Sequence, residues 1–210
     1  MALAVVSCAG MAQAGIVGVG GDAEWIAAPA DAQLNVLVNN KVARVWNEQQ
    51  NISLTTSVTV DIDGTSGVYN SNSDLGVYTL AAGTLASSHY IHFDSAGSQS
   101  ASAKGSVRFD DIIIGVIVLG DRRDDGRNHL DMSDWLSSGT IYGDGIRNRG
   151  MELTNNEKIE ISADRKTLFF SFGISSPGDY VRVITAAVPT PGTAALGLAG
   201  LALVARRRRA

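Results

Sequence analysis

The sequence predicts an all-β fold: a β-sandwich or jelly-roll body followed by a short hydrophobic C-terminal helix. Three observations predict it. Short segments alternate apolar and polar residues with a period of two, the pattern of a half-buried strand. Clusters of Gly, Ser, Asn and Asp punctuate them at short spacing. No long amphipathic stretch and no strand–helix–strand period interrupts the series.

Taken in order, residues 15–21 are glycine-rich and read as a flexible amino end of the body. Trp25 and Ile26 form the first apolar anchor. Residues 34–38 and 42–46 predict strands, with a polar turn at 47–50. In residues 57–63, Val58, Val60 and Ile62 share one face, and Thr59, Asp61 and Asp63 the other. Residues 64–73 read as a loop, and 76–80 as a strand closed by a turn at Gly83 and Thr84. Along residues 89–94, His89, Ile91 and Phe93 face one way, and Tyr90, His92 and Asp94 the other. Two histidines pointing apart argue against one shared metal. Residues 95–106 are small and polar, and predict a loop without fixed shape.

The strongest core signal follows. Val107 and Phe109 alternate with Ser106 and Arg108, and residues 112–119 are then continuously apolar. β-Branched side chains dominate that run, which favours a strand over a helix, and Gly115 weakens a helix further. The charge density of residues 121–127 places them on the surface. Residues 130–136 predict one or two helical turns, with Leu130, Trp135 and Leu136 covering a sheet end. Residues 159–162, 167–172 and 180–185 supply the last strands. The total is about nine to eleven strands.

The two ends carry a different message. Val188, Pro189, Thr190, Pro191 and Gly192 form a hinge, because proline fixes φ and donates no backbone hydrogen bond. Residues 194–205 contain no polar side chain. As a helix they would span about 18 Å at about 1.5 Å per residue, against a bilayer core of about 30 Å. Arg206, Arg207, Arg208 and Arg209 follow, a cluster that anionic lipid and the positive-inside bias hold on the cytoplasmic side. This order of hinge, apolar segment and arginine cluster resembles the PEP-CTERM sorting signal of bacterial envelope proteins. The resemblance covers residues 188–210 and implies a membrane-embedded, exosortase-like processing enzyme as partner. Thr190 stands where that pattern has glutamate, which leaves the enzyme variant open. A fainter likeness to the β-rich body of some such proteins lies in Val107 to Asp110, Ile114 to Ile117, Leu130 to Asp134 and Pro177 to Thr185; it implies no activity.

Residues 1–14 read as a signal peptide, with Ala12, Gln13 and Ala14 as a small-x-small cleavage pattern. The absent positive n-region places the expected start further upstream. Val5, Val6, Ser7 and Cys8 also fit a lipobox, with few residues before the cysteine. The expected organisation is thus a signal at 1–14, a β-sandwich domain at 15–187 and a sorting signal at 188–210. The expected location is the cell envelope, outer surface or extracellular matrix, as in a biofilm, with transient anchoring in the inner membrane.

All 21 acidic residues and 13 of the 17 basic ones fall between the two signals, a net of about −8 for the body. Nucleic acid is therefore not an expected partner. Cys8 is the single cysteine, so the body holds no disulfide, thiolate metal site or cysteine nucleophile. No motif of a serine hydrolase, zinc peptidase or phosphate-binding loop is present, and no enzymatic activity is expected. Asp61 and Asp63 form a paired-carboxylate candidate. Asp121, Asp124, Asp125, Asp131 and Asp134 are the richest carboxylate cluster; hard oxygen donors suit Ca²⁺, while the interleaved arginines offer plain salt bridges instead. Beside a non-catalytic envelope protein, the alternative is a carbohydrate-binding, lectin-like module, Ca²⁺-dependent or not. It would stack polysaccharide on Trp25, Trp46 or tyrosines. An exposed aromatic beside carboxylates on one sheet face would favour that alternative, and fully buried tryptophans the scaffold.

Overall fold

The structure is a computed structural model, and it describes residues 15–96, 100–120, 129–143, 150–154, 157–175 and 178–187. The signal at 1–14, the hinge, apolar segment and arginines of 188–210, and Asp121, Asp124 and Asp125 lie outside the described residues.

The described chain is all-β with mostly antiparallel pairing. The first sheet contains β1 (Ile16–Gly21), β6 (Gly67–Tyr69), β9 (Ser100–Phe109), β11 (Lys158–Ile161) and β12 (Thr167–Ser175), in the order β1-β9-β12-β11-β6. The second contains β2 (Ala23–Trp25), β3 (Ala43–Asn47), β8 (Leu85–Phe93), β10 (Ile113–Ile117) and β13 (Asp179–Ala186), in the order β10-β13-β8-β3-β2, with β4 (Ile52–Ser53) also on β8. β2 runs parallel to β3. A small hairpin pairs β5 (Val58–Val60) with β7 (Tyr78–Leu80). A helical turn at His129–Met132 and a 3₁₀ turn at Asp134–Leu136 are the helical pieces next to this end of the sheet.

One core lies between the two sheets. Val107, Phe109, Leu168, Phe170 and Phe172 reach into it from the first, and Val45, Ile91, Phe93, Val181 and Val183 from the second. A second cluster covers the far face of the second sheet, where Trp46, Tyr90, Tyr180 and Ile184 meet Val58, Val60, Leu130, Leu136 and Tyr142. The second sheet is therefore buried on both faces, which is why β13 shows no exposed face at all. The first sheet keeps one face in solvent: Lys104, Arg108 and Phe169 are exposed while Val107, Leu168 and Phe170 are buried. A single wet face is the usual condition of an antiparallel sheet.

Several expectations are corrected. Residues 16–21 form β1 on β9 rather than a flexible end. Residues 34–36 form a turn instead of a strand; Asn35 adopts φ 64° and its N–H donates to Asp94 Oδ2 at 2.6 Å. Residues 100–106 extend β9, because β12 pairs along that whole length and sets Ala103 opposite the larger Phe172. The loop at 64–73 contains β6 and a 3₁₀ turn capped by Ser71. The apolar run 112–119 does contain a strand, β10, and it lies at a sheet edge. It is buried because Ile62 bridges to Val116 and covers that edge.

Candidate functional site

Among the described residues, titratable side chains gather at four places, and each has a different chemical capacity. The first is sealed. Arg182 of β13 is fully buried. Its Nε and Nη2 donate to the two carboxylate oxygens of Glu48 at 2.8 and 2.9 Å. Nη2 also donates to Asp134 Oδ1 at 3.0 Å, and Nη1 to the Leu130 carbonyl at 3.0 Å and to Ser133 Oγ. All five guanidinium N–H groups are thus used. Ser88 and Tyr142 hydroxyls donate to the remaining positions on Glu48, and the Tyr90 and Tyr142 rings flank the cation, 5.0 and 5.4 Å from their centroids. Burial pushes the Glu48 carboxyl up, but the Arg182 charge and the hydrogen bonds outweigh it and hold it below the ordinary range. A saturated pair of this kind has no capacity left for a ligand. It ties β13 to the end of β3 and to the two helical turns.

The second is also enclosed. Asp61 is buried, and His129 Nδ1 donates to its Oδ1 at 2.6 Å while the N–H groups of Val118 and Leu119 donate to Oδ2 at 2.8 Å each. Asp63 is exposed and accepts from Thr65 N–H. The structure therefore separates the paired-carboxylate candidate into one structural acceptor and one turn residue. His89 and His92 do face opposite ways: the His89 ring packs at a tilt against Phe109, and the His92 ring against Trp46 and Tyr180. Burial lowers the His89 imidazole to about 3, so it is neutral, with Nδ1–H donating to Asn47 and Nε2 accepting from Thr185.

The third is a carboxyl group at the start of β13. Asp179, opposite Phe93 in the ladder, is buried, and its Oδ2 has no hydrogen-bond partner among the described residues. Burial, with the charges of Glu157 and Glu152 added, raises it to about 8; burial and then Glu152 raise Glu157 to about 7. Among the described residues, no three His, Cys, Asp or Glu side chains are grouped so as to hold a metal ion. Of the predicted Ca²⁺ cluster, Asp134 is engaged by Arg182, Asp131 stands on the short helical turn, and the other three lie outside the described residues.

The fourth is the wet face of the first sheet. Backbone register aligns Gly20, Ser106, Phe169, Glu160 and Val68 in one row across five strands, with Lys104, Ser171 and Lys158 in the next. An open groove of about 880 Å³ runs over these rows and reaches Asn70 and Glu157. That size lies within the range of about 300–1,000 Å³ usual for ligand sites. Phe169 is 40% exposed at its centre. Lys158 Nζ pairs with Glu160 Oε2 at 3.1 Å, while Lys104 has no ion-pair partner among the described residues. Gly20 keeps the floor low: a Cβ there would stand 2.9 Å from Ser106 Oγ.

The aromatic candidates fall elsewhere. Trp46 is fully buried in the second cluster; Trp25 is 49% exposed and lines a smaller hollow of about 380 Å³ with Ile26, Ala27, Ala28 and Asn47. Phe169 was not singled out in the sequence. Its alternation with the buried Leu168 and Phe170 is the signal that marks it as outward-facing. Among the described residues no helix is long and apolar enough to cross a membrane. Compared with protein-family models, with curated proteins and with solved structures, the chain matches none of them.

Proposed function

We propose that this chain is a non-catalytic exported protein of the bacterial cell envelope or extracellular matrix. Its body is a β-sandwich, two sheets over one core, and it is sorted by the carboxyl-terminal signal. The main support is the order of Val188 to Gly192, the apolar residues 194–205 and Arg206 to Arg209, which suits a segment that enters lipid and stops at its cationic end. The small-x-small pattern before Gly15 and a body without cysteine agree with export. The geometry adds closed chemistry: Arg182 with Glu48, and His129 with Asp61, are consumed in holding elements together. An exosortase-like enzyme is the processing partner, and the membrane a transient one.

Deleting residues 188–210 tests the sorting role. The truncated chain is expected in the periplasm or medium of an exosortase-bearing host, and the full chain in its envelope fraction. Identical fractionation of the two would rule the role out.

A further inference from the structure

We infer that the wet face of the first sheet binds a neutral polysaccharide chain laid along the Phe169 row. This goes beyond sorting and export, and stands or falls separately from them. An exposed ring offers a sugar its apolar C–H face to stack on. Around it the groove presents donors and acceptors in near balance: ammonium groups from Lys104 and Lys158, carboxyls from Glu157 and Glu160, and the Ser106 hydroxyl. Sugar hydroxyls both donate and accept, so such a lining matches them.

Charge decides among occupants. The body is acidic overall, which repels a polyanion at long range, and of the two lysines in the groove Lys158 is already paired with Glu160. A partner protein would need a continuous apolar patch, but Glu160 separates Val68 from Phe169 in the row. Pairing with an added strand is not on offer either, because the groove lies over the face of the sheet and not along its edge. The same row completes the case: Gly20, two strands from Phe169, carries no side chain, which gives the ring a step for a chain to lie against.

The test is affinity electrophoresis of the full chain in gels containing a soluble β-glucan, a galactomannan or a xylan, with alginate as the acidic comparison. Retardation is expected with at least one neutral polymer. Phe169→Ala should weaken that binding about tenfold, the equivalent of about 1.4 kcal/mol, in a variant that thermal unfolding shows to have kept its fold. Trp25→Ala, outside the groove, should leave it unchanged. Retardation by alginate alone, no retardation by any neutral polymer, or equal retardation of wild type and Phe169→Ala would each overturn the inference.

Discussion

At the scale of single residues, Arg182 shows how far a pattern carries. Alternation in residues 180–185 correctly set Tyr180, Arg182 and Ile184 on one face and Val181, Val183 and Thr185 on the other. It did not reveal that both faces are buried, because one strand says nothing about what covers it. Glu48, in a run of polar residues, carried no signal of burial; its partner lies 134 positions away. Losing one member of a buried pair strands the other's charge. Arg182→Met is expected to cost about 3–5 kcal/mol in urea unfolding, and adding Glu48→Gln to recover part of that loss. A second residue-scale prediction concerns Asp179. Its carboxyl keeps its proton in the folded chain up to about pH 8, whereas in the unfolded chain it releases it near pH 3.9. The folded state binds more protons across that window, so this group's contribution is most favourable at low pH and is lost as pH rises towards 8. Asparagine cannot ionise. Asp179→Asn should therefore raise the melting temperature at pH 8 relative to wild type, and leave it nearly unchanged at pH 4.

At the scale of elements, long strongly patterned strands were legible: β3, β8, β10, β11, β12 and β13 all fall within or across predicted segments. Two misses involve small residues. β1 mixes Ile and Val with three glycines, and the first half of β9 is mostly serine, alanine and glycine, residues with little strand preference of their own. Partner strands impose the extended form there, with β12 templating β9 and β9 templating β1. The corner after β1 depends on a backbone that only glycine adopts cheaply. Gly21 has φ 64°, and a Cβ there would stand 2.5 Å from the Lys104 carbonyl oxygen. Gly21→Ala is expected to cost about 2 kcal/mol, from left-handed strain and the contact together. Thermal unfolding measures it. The half-buried Gly18, with nothing within 4 Å of its would-be Cβ, provides a control of much smaller effect.

At the scale of the whole molecule, the division of labour is clear. The second sheet is enclosed on both faces and holds the ionic network, while the first turns a groove outward. That asymmetry was only half visible in sequence. The stacking candidates legible in the sequence were Trp25, Trp46 and the tyrosines; Trp46 is core, and Trp25 is half-exposed away from the groove. The face that is open belongs to a sheet whose outward positions are mostly small or charged, where Phe169 looks like one more residue of an aromatic strand. The body supplies a closed scaffold, and the proposed function places the address in the chain ends.

That address is tested most directly by the intact mass of the chain recovered from an exosortase-bearing bacterium. The account predicts an envelope-associated or released species that begins after residue 14 and has lost Arg206 to Arg209. Recovery of the uncut 210-residue chain from the cytoplasm would contradict it.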